Sequence, residues 1–293
     1  MYWLRTEQAI GRNSLVGTTV NVPGNMPEHL GADEKHTWIL GGKAYVASTV
    51  GNHCILGASV AENAGEAPLT KSYGVFRSEA KTLKPDYSPR SVNIDGWKAT
   101  RKAWTALFPA IAVICCFLHL FLKMRDGSKK KHRAIFMEAA TKLWECWAAT
   151  TKKSFAQRIR RLVDWCEKKD APDSIRNPIM KLRRRKADYA AAYDHPGALR
   201  SSNMIDRLMR RMDRRLFGAQ YFHGSAEAAE LTIRGWALIY NFAPWNPWTV
   251  KKRGGIQCPA EMLNKKRYAD CWLQNLLISA SLGGYRSPPQ NPL

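Results

Sequence analysis

The stretch "PRSVNIDGWKATRKAWTALFPAIAVICCFLHLFLKMRDGSKKKHR", residues 89–133, decides the fold. Its centre, "WTALFPAIAVICCFLHLFL" (104–122), carries no formal charge over 19 positions. That is close to the length of a membrane-spanning helix. The basic run after it imitates a cytoplasmic flank. Pro109 argues the other way, because it disfavours helix at Phe108 and removes a backbone donor. Beyond it, "AIAVICCF" is short, apolar and partly β-branched, the profile of a strand buried on both faces. Before it, Trp97, Ala103, Trp104 and Leu107 recur at near-helical spacing. The reading is helix, proline stop, buried strand, with no membrane partner.

Working outward, "SVNID" (91–95) is a strand with Val92 and Ile94 on one face and Asn93 and Asp95 on the other. Upstream, Leu69, Tyr73, Phe76, Ala80 and Leu83 follow a helical period that Pro85 ends. "GKAYVASTV", "GNH" and "CILGASV" read as a hairpin around a Gly-Asn turn. "HLGADEKHTWIL" is a first strand. The order β-β-β-α-β-α-β over residues 30–122 matches an α/β, ribonuclease H-like mixed sheet with flanking helices.

The expected organisation is an irregular lead-in (1–29), a first part of the catalytic domain (30–126), an all-helical insertion (127–200), a second part of that domain (201–245), and a C-terminal helix and tail (246–293). In the insertion, Ile135, Phe136, Ala139, Leu143 and Trp147 form one stripe. Phe155, Ile159, Leu162 and Cys166 form another, and "APDSIRNP" (171–178) breaks the helices. Helices are expected over 202–217 and 225–242, and disorder over 283–293.

The charge is lopsided: 46 Lys+Arg against 24 Asp+Glu, net +22. Residues 1–60 hold four basic and four acidic side chains, whereas 123–215 hold 26 and 11. A field concentrated in this way points to a polyanionic partner, most simply nucleic acid. The alternative is a solvated helical surface. Seven cysteines without a Cys-x-x-Cys pair fit a reducing compartment. The N-terminus shows no apolar signal core. A cytoplasmic, nucleoid-associated protein is expected.

Two-ion phosphoryl transfer needs acidic oxygens from separate elements, with the ions roughly 3.5–4 Å apart. Magnesium keeps waters and phosphates as ligands, so a few carboxylates suffice. Asp33 on the first strand, Asp95 at the end of the fourth and Asp206 near a helix start are the set expected to bind Mg²⁺, with Mn²⁺ able to substitute. Glu34 must face away from Asp33, so only one of the two can join. Asn203 is expected to cap the helix, and Asp206 then resembles the end of a capping box, which is its plain structural alternative. Asp213, two turns further along, is the rival to Asp206.

These pieces carry a resemblance. "LGADEKHT", "SVNIDGWKAT" followed by "LFPAIAVICCFLH", and "RSSNMIDRLMRR" resemble a DDE/D transposase of the Mutator-like and bacterial insertion-sequence type. In that family a Cys-x-x-His follows the second acid, matched by Cys116 and His119, and the third acid opens a Thr/Ser-Asn-x-x-Glu/Asp helix, matched by Ser202, Asn203 and Asp206. The match spans roughly 30–245. It implies metal-dependent DNA cleavage and strand transfer at transposon ends and target, by a homo-oligomer on DNA. It also implies that Cys116 and His119 help position Asp95 and the DNA. The residue types leave open a zinc half-site, or a core cysteine beside a locally bonded histidine. The third acid is Asp where many relatives have Glu. Residues 1–30 are too short for the family's DNA-reading domain, so a truncated copy is expected, active or reduced to a DNA-binding remnant.

DNA contacts are expected from Asn203, Arg207, Arg210 and Arg211, with Arg214 and Arg215 beside them; a solvated helix face is the alternative. Lys129, Lys130, Lys131 and "KLRRRK" (181–186) would grip phosphates. Trp245 and Trp248 either stack on an unpaired base or pack a loop. His36, His53 and His195 have no assignable partner in the sequence.

Overall fold

A computed structural model describes residues 2–128, 130–201 and 203–282, without the side chains of Tyr2 and Lys131. Lys129, Ser202 and the 283–293 tail, each assigned a part above, lie outside the described residues. The order is α1 (Tyr2–Gly11), α2 (Leu15–Thr19), β1 (His29–Ile39), β2 (Gly42–Gly51), β3 (Cys54–Ala61), α3 (Glu66–Leu83), β4 (Ser91–Ile94), α4 (Lys98–Leu107) and β5 (Ala112–Cys115). Then follow α5 (Phe117–Gly127), α6 (Arg133–Trp147), α7 (Lys152–Lys168), α8 (Asp173–Arg184), α9 (Lys186–Ala190), α10 (Asn203–Gly218), α11 (Ala226–Phe242), α12 (Pro247–Lys252), α13 (Pro259–Asn264) and α14 (Trp272–Ser281).

The strands form one mixed sheet in the order β3-β2-β1-β4-β5. β1 is antiparallel to β2 and parallel to β4, which is parallel to β5. One face packs on α3 and α4: Leu30, Ala32, Val92 and Ile94 meet Leu69, Tyr73, Phe76 and Trp104. The other packs on α10 and α11, with Val46, Val50 and Ile55 against Ile205, Leu208, Ile233 and Leu238. Period-two alternation in the strands thus feeds two separate apolar layers. A third cluster, including Phe117, Leu120, Leu143, Phe155, Leu162, Ile179 and Tyr189, forms the core of the helical segment between β5 and α10.

No helix among the described residues is long and apolar enough to cross a membrane. The uncharged run is divided as Pro109 requires, but its second half departs from expectation. The strand is only Ala112–Cys115, and "FLHLFLKMRDG" is helix. Phe117, Leu120 and Met124 are buried at helical spacing. A short apolar run does not distinguish buried strand from buried helix by period.

The lead-in is helical rather than irregular. Arg234 of α11 donates to Gly11 O (3.0 Å) and Asn13 O (2.9 Å) and pairs with Glu79. Gln8 donates to Thr232 Oγ1 at 3.2 Å, and Arg215 pairs with the buried Glu7. These partners lie more than 150 residues away, so nothing local announces α1. "APDSIRNP" separates α7 from α8 at its Ala171–Pro172 end, as expected, but its second proline does not break the chain: Pro178 sits inside α8, where buried Ile175, Ile179 and Leu182 hold the helix in place despite its missing donor. Among the described residues, the C-terminal region holds three short helices rather than one.

Candidate functional site

β1 and β4 are in parallel register, with His29 opposite Ser91, Leu30 opposite Val92 and Gly31 opposite Asn93. Asp33 lies two residues beyond the last of these pairs on β1, and Asp95 two residues beyond it on the other chain segment, just past the end of β4. The next strand continues the register, because Ile94 lies opposite Cys115. Both carboxylates follow from alternation: Ala32 and Ile94 face the α3/α4 layer, so their successors face α10.

Asp206 arrives from α10. A Cβ at Gly31 would run into Ile205 Cδ1, so a glycine at this point of β1 lets the helix lie close to the sheet. Asp206, next to Ile205, then acts on Asp33. The Asp33 carboxyl is pushed up to about 8, chiefly by burial, then by the charges of Glu34, Asp95 and Asp206; only a hydrogen bond from the Glu34 backbone opposes them. Asp95 and Asp206 thus both lie near enough to Asp33 to raise its carboxyl.

The rivals are resolved by their partners. Glu34 points into the other layer, where Tyr73 and Thr100 hydroxyls both donate to Oε1 at 2.7 Å. Burial raises it to about 7 against those two bonds. Asp213 pairs with Lys35 Nζ at 2.5 Å, one side chain further along the Asp33 face of β1.

His119, on the first turn of α5, brings Nε2 to 4.0 Å from Asp33 Oδ2. This is proximity without an ion pair. Burial holds the imidazole below its ordinary value; Asp95 and Asp206 pull it up and Lys123 pulls it down. Cys116 departs from its expected DNA contact: it is buried at the N-cap of α5, and its N–H donates to Ile94 O at 2.7 Å. It turns the chain from β5 into the helix that carries His119. Asn203 begins α10 itself rather than preceding it.

Can this group hold cations? Three carboxylates are hard oxygen donors suited to Mg²⁺ or Mn²⁺. Asp33 is a half-buried acid raised by the like charges of Glu34, Asp95 and Asp206, which a cation would relieve. Ser48, opposite Asp33 on β2, has a buried hydroxyl without a partner, as do Asn93 Oδ1 and His119 Nδ1. In chemistry the residues fit. In placement they do not form a finished chelate: no cluster of three or more His, Cys, Asp or Glu among the described residues is arranged to hold a metal.

The basic rim is made of side chains on α10, which carries Asp206, and on α8, whose Lys181 feels Asp95. Arg207, Arg210 and Arg211 are exposed on α10, and Arg211 also lies over Tyr240 at 5.3 Å. Arg215 faces Glu7 instead and leaves the expected grip. Lys181 of α8 is half-buried; burial lowers its pKa first, then Lys123 and Arg185, against the pull of Asp95. Trp245 packs under Arg253 at 4.2 Å and edge-on to His53, whereas Trp248 is 70% exposed with Lys252 above it. His53 also donates its N–H to Met204 Sδ, and His36 packs edge-on against Trp38 and Tyr45.

One set of residues had no signal in the sequence. Asp95 Oδ1 accepts from Trp97 N at 2.6 Å, and Gly96 between them has φ +94. Arg185, from the helical segment, donates Nη1 to Gly96 O at 2.8 Å and Nε to Asp188 Oδ2 at 2.8 Å. Arg101 of α4 meets the same Asp188 oxygen at 2.9 Å. These contacts span up to 89 positions and have no local pattern to find.

No protein-family model matches the chain, and no curated protein matches it.

Proposed function

We propose that the chain is a DDE/D transposase with a ribonuclease H-like catalytic domain, cutting DNA and transferring strands at Asp33, Asp95 and Asp206. The observation that carries this reading is that Asp33, half-buried on β1, feels the charges of Asp95, just past the end of β4, and of Asp206, in the first turn of α10. The strand order β3-β2-β1-β4-β5 with an antiparallel first hairpin supports the ribonuclease H-like assignment. The basic rim supports DNA as the substrate.

Asp33, Asp95 and Asp206 would hold the ions. When bound, two divalent ions supply the positive charge that steadies the phosphate with its attacking and leaving oxygens. His119, with Nε2 at 4.0 Å from Asp33 Oδ2, is placed to hold or pass a proton beside Asp33. Arg207, Arg210 and Arg211 orient the backbone, and a homo-oligomer on DNA brings both ends together.

The second reading is a transposase-derived DNA-binding remnant, favoured by the absence of a finished metal cluster among the described residues. Supercoiled plasmid incubated with Mg²⁺ separates the two. The transposase reading expects nicks that EDTA suppresses, and an Asp95→Asn variant that binds DNA but does not nick. Salt-sensitive binding without any nick, in Mg²⁺ or Mn²⁺, establishes the remnant.

A further inference from the structure

We infer that the helical segment between β5 and α10 is a working part of the active site, because Asp188 and Arg185 clamp the backbone that presents Asp95. The inference rests on the proposed function and extends it to positioning residues. Asp95 is the last residue before a left-handed glycine, Gly96, so its direction depends on how that turn is held. The turn is held from two sides. Trp97 N binds the Asp95 carboxylate from within, and Arg185 Nη1 binds Gly96 O from the helical segment.

Asp188 locks the clamp. Its Oδ2 receives Arg185 Nε at 2.8 Å and Arg101 Nη2 at 2.9 Å, so one carboxylate fixes a guanidinium from each side of the site. All three side chains are between one-fifth and one-third exposed, and Cys115 closes the back, with Sγ 3.7 Å from Arg101 Nη2 and 3.9 Å from Asp188 Oδ2. Charge-assisted bonds in such a setting are short and directional. An arginine bound through two different nitrogens cannot be replaced by a point charge without losing that direction.

The arrangement also joins substrate to site. Arg185 lies within "KLRRRK", with Arg183, Arg184 and Lys186 exposed and Lys181 half-buried one turn before it. A DNA backbone seated on that run would bear on the same helix end that holds Gly96. Residues that orient metal-liganding carboxylates typically change affinity or activity by about 10–100-fold when altered.

The test uses the full chain with Asp188→Asn and Asp188→Ala, and Arg101→Lys as an independent change to the same clamp. Mn²⁺ binding is measured by electron paramagnetic resonance, plasmid nicking by gel, DNA affinity by anisotropy and folding by thermal melt. The expected result is folded variants with DNA affinity within about twofold of wild type. Mn²⁺ binding and nicking should fall about tenfold or more, with Asp188→Ala worse than Asp188→Asn. Folded variants that bind Mn²⁺ and nick as wild type does overturn the clamp alone. A wild-type chain that neither binds Mn²⁺ nor nicks overturns the functional reading and takes the clamp with it. Should Asp188→Ala fail to fold, Arg101→Lys and Asp188→Asn decide the matter by the same criteria.

Discussion

Asp33 and Glu34 are adjacent on β1, both half-buried, and opposite in their surroundings. Glu34 faces the α3/α4 layer, where two hydroxyls at 2.7 Å answer its charge. Asp33 faces α10, where Asp95 and Asp206 add repulsion to the cost of burial. The first is how a fold tolerates a buried acid. The second is how a site stays unfavourable until something positive arrives. Local conflict of this kind marks functional positions better than residue type alone.

The largest break of the comparison is substitution on each side. Asp33→Asn should reduce nicking by more than ~100-fold, beyond what altering a supporting residue costs. Above about pH 8, where the Asp33 carboxyl is ionised, the same change should raise the Tm of the metal-free chain by at least about 2 °C, because it removes a like charge from beside Asp95 and Asp206. Glu34→Ala should do the reverse. It strands the Tyr73 and Thr100 hydroxyls and costs about 1–3 kcal/mol in denaturant unfolding, while folded molecules keep nicking within tenfold of wild type.

Next comes pH. Asp33 carries its proton up to about 8 in the folded chain, against an ordinary value of 3.8. Between those values the folded state binds more protons than the unfolded one, so stability of the metal-free chain falls as pH rises across that window. Cation binding must displace that proton, so Mn²⁺ affinity should climb with pH and level off above about 8. Calorimetry in buffers of different ionisation heat reads the released proton. A flat profile would remove Asp33 from the ligand set.

A smaller contrast separates the two aspartates of α10. Asp206→Asn should abolish nicking, whereas Asp213→Asn loses a half-exposed pair with Lys35 worth at most about 1 kcal/mol and leaves nicking intact. Smallest is the rim: Arg207→Ala and Arg210→Ala should each lower the log–log salt slope of DNA binding by about 1, with nicking at saturation little changed.

Much of this was legible because the physics is local. Leu69, Tyr73, Phe76, Ala80 and Leu83 announced α3 by their period, and every one is buried. Val92 and Ile94 against Asn93 and Asp95 announced which face β4 offers to each layer. Pro109 divided the uncharged run as a missing donor must. What escaped was non-local. α1 owes its place to Thr232 and Arg234 on α11, and the Asp188 clamp joins three distant segments through side chains that look like ordinary surface charge. α5 escaped for another reason: its apolar residues continue those of β5 without a break in composition.

A Mn²⁺ titration of the wild-type chain against Asp33→Asn, Asp95→Asn and Asp206→Asn, followed by calorimetry with duplex DNA present, addresses the shared site most directly. The account predicts two bound ions per wild-type chain and loss of at least one from every variant. Equal binding by all four proteins, or none by the wild type, would contradict it.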